Sequence, residues 1–66
     1  MESYKERLIQ EHKELIERIV KLKTFINGTV FPDLEIYEQT DLKDQLNAMT
    51  HYCNVLERRM RRKDLL

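Results

Sequence analysis

Between Leu42 and Met60 the large apolar or soft residues Leu42, Leu46, Met49, Cys53, Leu56 and Met60 recur at steps of four, three, four, three and four. A strand would need steps of two, so this spacing describes one edge of a helix built to pack against another helix. The first half of the chain repeats the pattern: Leu8, His12, Leu15, Ile19, Leu22 and Ile26 form a second seam, broadened by Ile9, Ile16 and Val20. Two seams joined by a short connection can only lie antiparallel. The reading is therefore all-α: residues 1–66 as one antiparallel, coiled-coil-like hairpin domain, with helix 1 over about 4–26, a loop over about 27–34 and helix 2 over about 35–62.

Local signals fit that division. Met1 and Glu2 read as a leader, and Ser3 with Glu6 fits a capping box that opens helix 1. Asn27 and Gly28 suggest a left-handed stop. The loop holds the chain's single Gly and single Pro but also Val30, Phe31 and Leu34. A segment needing only to turn would be polar, so these three are expected to plug the end of the hairpin. Glu35, Glu38 and Asp41 near the start of helix 2, and Arg58, Arg59, Arg61, Arg62 and Lys63 at its end, suit the helix dipole. Asp64, Leu65 and Leu66 are expected to fray.

Placing Ile26 opposite Leu42 pairs Leu22 with Leu46, Ile19 with Met49, Leu15 with Cys53, His12 with Leu56 and Leu8 with Met60. Only the His12 layer is not apolar on both sides. A two-helix pair covers each seam from one side, which leaves Ile9, Ile16, Val20, Ala48 and Val55 as faces for further copies. The hairpin is thus expected to self-assemble into a helical-bundle homo-oligomer.

Composition excludes more than it assigns. One glycine rules out Gly-rich phosphate loops, which need several positions where backbone replaces side chain, and no nucleophile stands with a base; the chain reads as a non-enzyme needing no cofactor. Twelve basic and twelve acidic residues cancel, leaving no global field to hold nucleic acid or a membrane surface. With no apolar run near the roughly 20 residues of a membrane span, and Cys53 alone on a seam, the expectation is a cytoplasmic protein.

Three constellations remain. His12, His51 and Cys53 are potential metal ligands, but without an i, i+4 His pair or a CxxC they do not argue for zinc, and His12 reads either as a satisfied seam residue or as a ligand contact. The cations Arg58 to Lys63 would sit beside Tyr4, Lys5 and Arg7 in an antiparallel hairpin, where unpaired amides of helix 1 also favour anions. They serve either the helix dipole or a phosphate. Finally Gln45, Tyr52 and Arg59 recur every seven residues beside the seam. They suit a plain interface, and equally a nucleotide pocket with an amide, a stacking ring and a phosphate fork.

The segments EHKELIERIVKLKTFI, FINGTVF and QLNAMTHYCNVLERRM resemble a family of small helical-hairpin proteins of phages and prophages, crAss-like phages among them. The matching positions are Phe25, Ile26, Phe31, Gln45, Met49, Tyr52, Leu56 and Arg59. Size and architecture are further similar to the phage anti-defence sponges, the anti-CBASS and anti-Thoeris hairpins, although this chain lacks their tryptophan-containing signature. That likeness implies a non-catalytic oligomer holding a cyclic oligonucleotide or ADP-ribose derivative between protomers. On it, Tyr52 and Tyr4 would stack, Arg59 and Arg62 would hold phosphate, and Gln45 and His12 would add polar contacts. The alternative is a protein-binding helical adaptor or inhibitor, of the anti-restriction, anti-CRISPR or phage-assembly kind, with no small-molecule ligand.

Overall fold

A computed structural model describes residues 3–66; Met1 and Glu2, read above as a leader, lie outside the described residues. Helix α1 spans Tyr4–Ile26 and helix α2 spans Ile36–Arg62, packed antiparallel along a particle 44 Å long and 18 × 17 Å across. Among the described residues there is no strand. The hairpin follows from the two seams: Leu8, Leu15 and Ile19 of α1 and Cys53, Leu56 and Met60 of α2 form one buried cluster, with Leu46, Met49 and Leu65 half-buried against it.

Burial is graded along the hairpin. The buried cluster runs from the open end, where Leu8 and Met60 sit, past the middle of the hairpin to Ile19, whereas Leu22, Ile26 and Leu42 towards the connection are only half-buried. The hydrogen bond between His12 and Glu57 sets the two helices within one residue of the expected pairing of His12 with Leu56. The one polar seam residue is thus satisfied across the interface, which removes the cost of burying an unpaired imidazole.

Ser3 caps α1 as its sequence implies, its hydroxyl accepting from the Glu6 amide at 3.2 Å. The stop at the other end differs from expectation. Asn27 has φ −86° and no glycine has a positive φ, so no left-handed residue closes α1. Instead Asn27 N–H donates to the Lys23 carbonyl and Gly28 N–H to the Phe25 carbonyl, tightening the last turn. Space at Gly28 is tight: a Cβ on it would meet the Phe25 carbonyl oxygen at 3.3 Å, which a shift of a few tenths of an ångström would relieve.

The connection holds a short 3₁₀ turn, Phe31–Asp33, with Pro32 near its start. Phe31 is buried and carries the Lys43 ammonium 5.7 Å from its ring centre. Leu34 is half-buried, but Val30 is exposed, which corrects the expected three-residue plug to one anchored by Phe31. Gln39 supports the turn from α2, its side-chain amide donating to the carbonyls of Leu34 at 2.8 Å and Pro32 at 3.3 Å.

The chain beyond α2 closes in a cap through Asp64 and Leu65, where the sequence suggests fraying. Asp64 adopts φ +56°, Leu65 N–H donates to the Met60 carbonyl at 2.9 Å, and Asp64 N–H donates to the Arg61 carbonyl at 3.1 Å. This pair of bonds is the Schellman motif, and its usual apolar contact is present, with Leu65 folded back on the cluster that buries Met60. The cap fixes the open end of the hairpin, where the polar residues of interest collect.

Candidate functional site

Consecutive residues on a helix lie about 100° apart, so Glu11 and His12 fall on opposite flanks of the α1 seam. Each flank carries its own polar group. On the Glu11 flank, Tyr4, Arg7, Leu8 and Glu11 of α1 meet Tyr52, Leu56 and Arg59 of α2 around an open groove of about 340 Å³. Leu8 and Leu56, both buried in the core, make its floor. The antiparallel packing brings Glu11 beside Tyr52, with Tyr4 and Arg59 both on the groove wall.

The walls are ordered by polar contacts. The Tyr52 hydroxyl donates to Glu11 Oε1 at 3.3 Å, and Arg18 Nη2 approaches the same oxygen at 3.6 Å. Lys63 stands over Tyr4, its Nζ 5.5 Å from the ring centre. Among the described residues neither Arg7 nor Arg59 enters an ion pair. The groove therefore presents two aromatic rings, two guanidinium forks and one carboxylate, at the end of α1 where its first amides favour an anion.

Of the residues singled out in the sequence, the structure gathers Tyr4, Tyr52 and Arg59. Gln45 lies on the same flank of α2 as Tyr52, two turns earlier; it does not line the groove, and its amide rests 4.0 Å from Met49 Sδ. Arg62 is exposed and outside the lining, and His12 belongs to the other flank. Arg7 and Glu11 are additions. Nothing in the spacing marks Arg7, and Glu11 shares a seven-residue recurrence with Tyr4 and Arg18 that the surrounding charges of α1 hide.

On the opposite flank His12 Nε2 lies 3.0 Å from Glu57 Oε2, and Cys53 Sγ donates to the same oxygen at 3.4 Å. Arg61 reaches Glu57 Oε1 at 3.8 Å. The hydrogen bond from His12, then that from Cys53, holds the Glu57 carboxyl below its ordinary range. Burial, reinforced by Glu57, pushes the Cys53 thiol up. His51 is exposed and apart from this group.

An all-α hairpin with an aromatic and cationic groove at its open end is the class of molecule these features define. The chain belongs to the Sequestin family, which matches residues 2–62. No curated protein and no solved structure matches it. No helix of the described residues is long and apolar enough to cross a membrane.

Proposed function

We propose that this protein is a non-catalytic, phage-encoded anti-defence protein that oligomerises and sequesters a phosphate-bearing nucleotide signal, a cyclic oligonucleotide or ADP-ribose derivative. The observation that carries the reading is the convergence of Tyr4, Arg7, Tyr52 and Arg59 on one groove. Stacking a base on an aromatic ring contributes about 1–3 kcal/mol and accepts any base. Guanidinium forks hold phosphate bidentately, which a lysine cannot do. Glu11 supplies an acceptor for a ribose hydroxyl or an exocyclic amine. The family's name, Sequestin, agrees with holding a ligand rather than converting it.

The groove lining contains no thiol, imidazole or aliphatic hydroxyl. Its carboxylate is engaged by Tyr52 and Arg18, so retention and not bond cleavage is the chemistry it suits. A second hairpin laid along the groove side closes it over a ligand, with Gln45 at the junction and Arg62 adding positive charge at its end. Ile9 and Ile16, exposed on the flank of α1 away from the groove, give a second contact face, so that closure and assembly do not compete. Calorimetric titration with a panel of cyclic di- and trinucleotides and cyclic ADP-ribose isomers tests the reading. The expected result is saturable binding of at least one of them, with the ligand recovered chemically intact after heat denaturation of the protein. Absence of both heat and a melting shift across the panel overturns it, and a cleaved ligand overturns the non-catalytic half.

A further inference from the structure

The polar group on the other flank is unused by the groove. His12 of α1 and Cys53 and Glu57 of α2 bring an imidazole nitrogen, a thiol sulfur and a carboxylate oxygen all within 4.8 Å of one another. We propose that these three side chains bind a single Zn²⁺ ion, which staples α1 to α2 and stabilises the hairpin.

The donor set selects the ion. Magnesium and calcium want oxygen ligands alone, whereas a thiolate with an imidazole and one carboxylate suits a borderline-soft cation. The spacing agrees. Zinc bonds of about 2.0–2.3 Å in a tetrahedron place donors roughly 3.3–3.8 Å apart. Here Glu57 Oε2 lies 3.0 Å from His12 Nε2 and 3.4 Å from Cys53 Sγ, and with all three donors within 4.8 Å of one another, side-chain rotations that draw His12 and Cys53 together complete the spacing. Cys53 and Glu57 stand one turn apart on one helix, and the seam fixes His12 opposite them, so the site is assembled by folding itself.

Access and charge also fit. Cys53 is 6% exposed, while the side chains of His12 and Glu57 retain 18% and 27% exposure, which leaves an opening for the ion and for a water as fourth ligand. On binding, Cys53 gives up its thiol proton to solvent and coordinates as thiolate. His12 moves its proton to Nδ1 and coordinates through Nε2. Glu57 exchanges two hydrogen bonds on Oε2 for the metal, and Arg61 stays on Oε1 to orient the carboxylate. The charges of thiolate and carboxylate cancel that of the ion, so the loaded site in this partly buried interface is neutral.

Sequence spacing conceals this arrangement because its histidine comes from the other helix and Glu57 stands in a densely charged run. The inference does not depend on the nucleotide reading, since no residue is shared with the groove. Co²⁺ added to the chelator-treated full-length protein provides the test. One equivalent is expected to give the visible bands of a tetrahedral site with a near-ultraviolet thiolate-to-cobalt band. Zn²⁺ is expected to displace the cobalt and raise the melting temperature. Cys53→Ala should abolish the thiolate band. His12→Gln and Glu57→Gln, whose folding is checked by circular dichroism, should weaken cobalt binding more than about tenfold. His51→Gln should bind as the wild type does. Absence of the thiolate band in the wild type, or equal loss in the His51 and His12 variants, overturns the proposal.

Discussion

Asp64 is the one described non-glycine residue with a positive φ, +56°, and replacing it separates a formed cap from a frayed end. The left-handed region costs an ordinary L-residue about 1–2 kcal/mol, Asp somewhat less. Asp64→Gly removes that cost and returns roughly 0.5–1 kcal/mol of it through the extra freedom of glycine in the unfolded chain. It also removes a negative charge from the negative end of α2, a gain of about 0.3–1 kcal/mol. The net expectation is a stabilisation of about 1 kcal/mol. Asp64→Ala gains the same charge relief but meets the full left-handed cost, so it should be neutral or destabilising by up to about 1 kcal/mol. At roughly 4–8 °C per kcal/mol for a domain this small, the two variants should melt about 5–15 °C apart. Thermal unfolding by far-ultraviolet circular dichroism at one fixed protein concentration reads this directly, because assembly would shift the midpoint. Leu65→Ala should lower the midpoint and Leu66→Ala should not, since only Leu65 packs on the core. Equal melting of the Gly and Ala variants would refute the cap.

Leu56 is 1% exposed and floors the groove, so Leu56→Ala should cost about 2–5 kcal/mol and unfold much of the chain at room temperature, measured by urea titration. Phe31→Ala should lower stability by a few kcal/mol yet leave the groove's affinity unchanged in calorimetry, because Phe31 lies at the far end, whereas Val30→Ala should change neither. Ile16→Glu places a charge on the exposed apolar flank; sedimentation should show a smaller species than the wild type at equal concentration, and an unchanged distribution would argue against that face as a contact.

The hairpin is written in the 4–3 spacing of the two seams, because burying an apolar stripe leaves few alternatives for two amphipathic helices and a short connection. The ends were harder to read. Gly28 lies close to a carbonyl and has no positive φ, and nothing in composition separates the two reasons for a glycine. Asp64 adopts the conformation that glycine would advertise, so the cap and the docking of Leu65 carried no cue. Half of the groove was legible because Tyr52 and Arg59 stand out beside a seam. Arg7 and Glu11 were not, since they sit among the mixed charges of α1, which look like an ordinary solvated face. The Cys53 and Glu57 pair shows the same difficulty. One turn of helix links them, but only the tertiary packing of His12 against them turns the pair into a constellation.

The three tyrosines offer the most direct measurement of the central claim, because Tyr4 and Tyr52 line the groove while Tyr37 is exposed and outside its lining. In an NMR titration of ring-labelled protein with the tightest cyclic nucleotide, the Tyr4 and Tyr52 ring signals should shift together and saturate with the calorimetric affinity, and Tyr37 should stay in place. Saturable binding that leaves Tyr4 and Tyr52 unmoved would show that the ligand is held elsewhere.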